Sequence, residues 1–274
     1  GKDRQGTVKV KLNKPNLCPI IKSCRGLQEM KYPGNIIGPK FAEGDLITFM
    51  FDGAELTIRS VIVPRNSHGA DRLCSIKDFR NINTRDWDTN DQEHPSIELL
   101  LQRWCFEDSR SLDDIAECEV YVGLVEVGEA DRKANTLLST PTLESLMLSW
   151  HHYSFGAQHN EKYEQDPTWP ALSNRYHGRS IAQDHIDWFV LQLNLSLQVQ
   201  PVQAAMIPIN SRFVLMTFID LQSLHYAGRA NPYSNTLLKQ FEKDLFEEFL
   251  SHIRIDYSPE TIATIKSLKN KTLA

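Results

Sequence analysis

The chain has 274 residues, 41% of them hydrophobic and 24% charged, the proportions of an ordinary soluble globular protein able to bury roughly three quarters of its unfolded surface. Thirty Lys and Arg against 35 Asp and Glu leave a net charge of −5 and no global attraction to nucleic acid or to an anionic membrane. No apolar run approaches the roughly 18 residues of a membrane span, so none is expected within these residues.

The first residue is Gly rather than Met, which points to a trimmed or processed chain. Residues 1–25 carry seven basic side chains (Lys2, Arg4, Lys9, Lys11, Lys14, Lys22, Arg25) against Asp3 alone, a local +6. Within this arm Thr7-Val8-Lys9-Val10-Lys11-Leu12 alternates apolar and polar residues as a half-buried strand requires. It lacks interleaved aromatics, so RNA binding is not expected. Leu46–Phe51 and Glu55–Val63 read as two further strands, joined at Asp52-Gly53-Ala54, where Asp-Gly suits a hairpin turn. The polar stretch from Pro64 to Arg72 reads as a loop.

Between Arg85 and Glu119 eleven acidic residues face three basic ones, a local −8. This stretch is read either as a solvated surface or as an acidic face for a basic protein partner. Its start, Asp86-Trp87-Asp88-Thr89-Asn90-Asp91, resembles the opening of a calcium loop. An EF-hand needs Gly at the sixth position and Glu at the twelfth, where this chain has Asp91 and Ile97, so none is expected. From His94 to Phe106 the apolar residues Ile97, Leu100, Leu101, Trp104 and Cys105 recur at helical spacing. The pattern favours a helix with Pro95 in its first turn, and a strand over Leu99–Phe106 is the alternative.

Cys118–Val127 reads as a strand. Thr140-Pro141 reads as a helix start, followed by an apolar face of Leu143, Leu146, Met147 and Trp150. Residues 151–183 show no sustained period, yet Tyr153, Phe155, Tyr163, Trp169 and Tyr176 argue against disorder throughout. The strict alternation of Leu191, Leu193, Leu195, Leu197 and Val199 with polar residues marks the clearest amphipathic strand. Val202–Ile209 and Arg212–Ile219 follow as two more, turning at Asn210-Ser211. Leu237, Leu238, Phe241, Leu245, Phe246, Phe249 and Leu250 then form a core-facing helical stripe capped by Ser234 or Asn235. Ile253, Ile255 and Tyr257 alternate again, and Ser258-Pro259-Glu260 opens a last helix whose Lys266, Lys269 and Lys271 suit its negative end.

Runs of strands with few helices give an α+β fold, an antiparallel meander sheet packed against a few helices. One domain spanning 1–274 is expected, with two similar lobes, 1–130 and 141–274, as the alternative.

Five cysteines (Cys18, Cys24, Cys74, Cys105, Cys118) form no CxxC pair, and neither a disulfide scaffold nor a zinc site is expected. Phosphate-binding, dinucleotide-binding, nucleophile-elbow and HExxH signatures are all absent, so no cofactor is expected. The residues that remain suggest a non-catalytic protein-binding module, either immunity-like or an accessory of secretion or assembly. Its partner-binding residues would be Asp86, Asp88 and Asp91 on the acidic face, with Tyr226, Arg229 and Tyr233 in a loop whose side-chain types commonly anchor interfaces. The alternative is a metal-assisted hydrolase with His151, His159 and His185 as ligands or bases, neighbours of Glu161, Glu164 and Asp184. The cytoplasm is the favoured location, with a processed periplasmic or membrane-tethered form as the alternative.

Overall fold

The computed structural model describes residues 35–38, 40–51, 54–60, 74–76, 95–111, 114–129, 137–138, 143–144, 146–147, 176–193, 202–223 and 235–272. The fold is α+β, an antiparallel sheet packed against helices. Its eleven described strands are β1 (Ile36–Ile37), β2 (Asp45–Phe51), β3 (Ala54–Ser60), β4 (Cys74–Ile76), β5 (Ser96–Asp108), β6 (Asp114–Glu126), β7 (Tyr176–Ile181), β8 (Trp188–Leu193), β9 (Val202–Pro208), β10 (Phe213–Ser223) and β11 (Ile253–Asp256). Two helices, α1 (Asn235–Ser251) and α2 (Pro259–Thr272), and a 3-10 turn at Phe41–Glu43 complete the described elements. The large sheet runs β1-β5-β6-β10-β9-β8-β7, with β4 also beside β5, and the small sheet runs β11-β3-β2. Every pairing is antiparallel. The pairing of β6 with β10 joins strands from either side of Ala130–Thr140 in one sheet.

Alternation decides which side chains meet. The inner face of the large sheet packs on α1 and on the small sheet, burying Trp104, Phe106, Cys118, Val120, Val122, Ile219 and Leu221 against Phe241, Leu245, Phe246 and Phe249. In the small sheet Ile47, Ile58 and Ile253 form one buried cross-strand row, and Phe49, Leu56 and Ile255 form the next. Phe41 of the 3-10 turn fills the seam, its ring 5.6 Å from Trp104 and 4.9 Å from Phe249. A second core covers part of the outer face, where Leu137, Leu143, Leu146 and Met147 pack on Val125, Phe189, Leu191, Met206, Val214 and Met216.

Several local expectations hold. Phe51 pairs with Ala54, leaving only Asp52 and Gly53 between β2 and β3. Asn210 accepts from the backbone N–H of Arg212 (2.8 Å) and of Phe213 (2.9 Å), which fixes the turn into β10. Ser258 caps α2 by accepting from the N–H of Thr261 at 3.2 Å, and Pro259 follows it as the first helical residue.

The helix favoured over 94–106 is instead β5. Its register jumps between Glu98 and Leu100, a bulge that carries Ile97 and Leu100 to the same face although they are three residues apart. That spacing imitates one helical turn. The irregular stretch 151–183 ends in β7, an edge strand with Gly178 at its centre. The ring of Phe189 lies over Gly178, and a Cβ there would come within 2.9 Å of it. The arm 7–12, the loop 64–72 and residues 194–200 of the alternating Leu run lie outside the described residues.

Candidate functional site

Because side chains alternate, residues 101, 103 and 105 of β5, 117, 119 and 121 of β6, and 218, 220 and 222 of β10 share the outer face. The registers line them into three rows: Leu101-Tyr121-Phe218, Arg103-Glu119-Asp220 and Cys105-Glu117-Gln222. The first row closes the apolar half of the face. Tyr121 and Phe218 stack at 4.9 Å with planes 11° apart, and Tyr121 also lies over Gly123, whose missing side chain leaves room for the ring. The other two rows are polar.

Arg103 sits between two carboxylates, with its Nε donating to Glu119 Oε2 at 3.0 Å and lying 3.2 Å from Glu117 Oε1; its Nη2 also bonds Glu119. About a third of the Arg103 and Glu117 side-chain surface and a quarter of that of Glu119 stay open to solvent. Asp220, the third carboxylate, accepts from Gln222 Nε2 at 2.7 Å. Burial and the negative charge of Glu119 push its carboxyl above the usual range, against the opposing hydrogen bond from Gln222 and the charge of Arg103. One guanidinium thus serves three carboxylates. At the far end of the same hairpin Glu107 stands directly opposite Asp114, adding two more acids.

The surface sets this group of carboxylates beside a flat aromatic pair. Cys105 lies in the third row, whereas Cys118 is fully buried on the inner face. Burial, then the charges of Glu242, Asp220, Glu119 and Glu117, pushes the Cys118 thiol well above its ordinary value, which suppresses its nucleophilicity. Among the described residues no group of three or more His, Cys, Asp and Glu is placed to hold a metal ion. No described helix is long and apolar enough to cross a membrane.

Of the residues singled out in the sequence, Asp86, Asp88, Asp91, Tyr226, Arg229, Tyr233, His151 and His159 lie outside the described residues. His185 is half-buried in the β7–β8 connection, its ring edge-on to Tyr257 at 5.9 Å. Glu117 and Glu119 belong to the acidic segment already noted, but Arg103, Asp220 and Gln222 were missed as their partners. The available signal was the period-two spacing Glu117, Glu119, Tyr121 and Phe218, Asp220, Gln222, where an apolar alternation turns polar without losing its period. No protein family profile, characterised protein or solved structure matches this chain.

Proposed function

We propose that this chain is a non-catalytic protein-binding module that docks a basic protein partner on the polar half of its outer sheet face. The observation that carries the reading is the row arrangement of Glu117, Glu119 and Asp220 around Arg103, the one cation in these rows among the described residues, beside the stacked Tyr121 and Phe218. Lys and Arg side chains of a partner would complete the ion pairs left short of cations, and a partner's apolar or cationic group would cover the rings. A role as an immunity-like protein, or as an accessory of secretion or assembly, would use such a face to recognise one charged partner.

The test is quantitative affinity capture by the wild type and by Glu117→Gln/Glu119→Gln, with circular dichroism to show that both fold. A partner of net positive charge should bind the wild type, weaken between about 0.05 and about 0.5 M salt as exposed charges are screened, and be lost with the double substitution. Retention of the same partner by both proteins at both salt concentrations would overturn the reading.

A further inference from the structure

Glu242 occupies the core side of α1, between Leu238 and Phe246 at four-residue spacing in either direction, and is only 1% exposed. Neither carboxylate oxygen has a hydrogen-bond partner among the described residues. Its surroundings offer almost no compensation. From α1 itself the charge that acts on it is that of Lys239, one turn back, and from β10 it is that of Asp220. β6 presents the buried thiol of Cys118, which also feels Glu117 and Glu119. β9 contributes no titratable group, only the Gln203 amide, whose Oε1 is itself buried without a partner. On β11 Arg254 and Asp256 are exposed and paired with each other. Farther along α1, Glu247 pairs with Arg179 of β7 at 2.8 Å, and Lys40 is the cation that acts on Glu248.

A carboxylate in such a place cannot keep its charge at neutral pH without a partner, so it holds its proton. We propose that α1 is a proton-latched helix: it sits on the sheet with Glu242 as the neutral acid, and its undocking releases that proton to water, so rising pH favours undocking. The direction follows from linkage. Docked, Glu242 is held at about 9, chiefly by burial and then by the charge of Asp220 against the opposing charge of Lys239, whereas an exposed Glu titrates at 4.5. Between these values undocking frees one proton, and its equilibrium constant rises tenfold per pH unit. Below that window both states carry the Glu242 proton and above it neither does, so the Glu242 contribution flattens at either end, and above about pH 9 the thiol of Cys118, buried under α1, adds its own slope in the same direction. Glu248, raised to about 7 by burial against the charge of Lys40, adds its own slope only below that pH. The window from pH 7 to 9 therefore belongs to Glu242 among the α1 carboxylates.

Hydrogen–deuterium exchange of the full chain, read by mass spectrometry and corrected for the intrinsic pH dependence of amide exchange, reports the undocking equilibrium of α1 directly. In the wild type, protection of the α1 amides should fall about tenfold per pH unit between pH 7 and 9. In Glu242→Gln, which keeps the shape and removes the titration, it should be flat across that window. A flat wild-type profile overturns the proposal without recourse to any variant. An unchanged slope in Glu242→Gln also overturns it, and if that variant fails to fold, Glu242→Leu serves as the second non-titrating replacement.

Discussion

A buried hydrogen bond between Ser60 and Gln102 ties the small sheet to the large one, and its removal has a calculable cost. Ser60 ends β3 and Gln102 lies mid-way along β5. Both are essentially inaccessible to solvent, and the Ser60 hydroxyl donates to Gln102 Oε1 at 2.6 Å. Ser60→Ala takes away a net hydrogen-bond contribution of about 1 kcal/mol and withdraws the hydroxyl donor from a buried carbonyl, a loss that costs about 1–3 kcal/mol in all. Ser60→Ala should therefore destabilise the fold by about 2 kcal/mol. With an unfolding entropy of about 2.1 cal/mol/K per residue over 274 residues, 1 kcal/mol corresponds to roughly 2 °C, so the melting temperature should fall by about 4 °C. The apolar pair Ser60→Ala/Gln102→Leu removes the hydroxyl and the carbonyl together, so its cost should fall at least about 1 kcal/mol short of the sum of the single changes. Urea unfolding with a constant m-value provides the measurement. An effect below about 0.5 kcal/mol for Ser60→Ala, or strict additivity in the cycle, would refute the reasoning, because either result means the contact contributes nothing beyond the packing around it.

Arg103→Gln should lower stability by less than about 1 kcal/mol, since its ion pairs are partly solvated. The same change should speed association with a basic partner by leaving three carboxylates without their guanidinium, and stopped-flow binding at low salt measures it. Gly123→Ala should cost about 1–3 kcal/mol, because a Cβ would occupy the space of the Tyr121 ring and force it from its stack on Phe218. Combining it with Tyr121→Ala should give a sub-additive loss in thermal unfolding. In the folded protein an alkylating reagent at mildly alkaline pH should modify the half-exposed Cys105 and spare Cys118. Peptide mass spectrometry should find Cys118 labelled only after denaturant is added, and equal labelling of both would contradict its burial.

The elements legible in the sequence were those whose local pattern and tertiary environment agree. β3 alternates because it presents one side to the inner core, β10 opens as a continuous apolar run because Val214 and Met216 lie in the second core while Leu215 lies in the first, and α1 shows its stripe because one side is covered by a sheet. β5 misled for a specific reason. The bulge after Glu98 breaks its parity, and Leu99 and Leu100 are both buried, so the run satisfies a helical template that it never adopts. β7 was silent because an edge strand with Gly178 and few apolar residues carries little periodic signal. The polar rows posed a different problem. Glu117 and Glu119 were visible as acids, but their meeting with Asp220 is set by the β6–β10 register across roughly a hundred residues, which no local window contains. Glu242 was legible in principle. Positions 238, 242 and 246 differ by four, so any helix that buries Leu238 and Phe246 must bury the residue between them, and the same spacing that identifies the core stripe of α1 places a carboxyl group inside it.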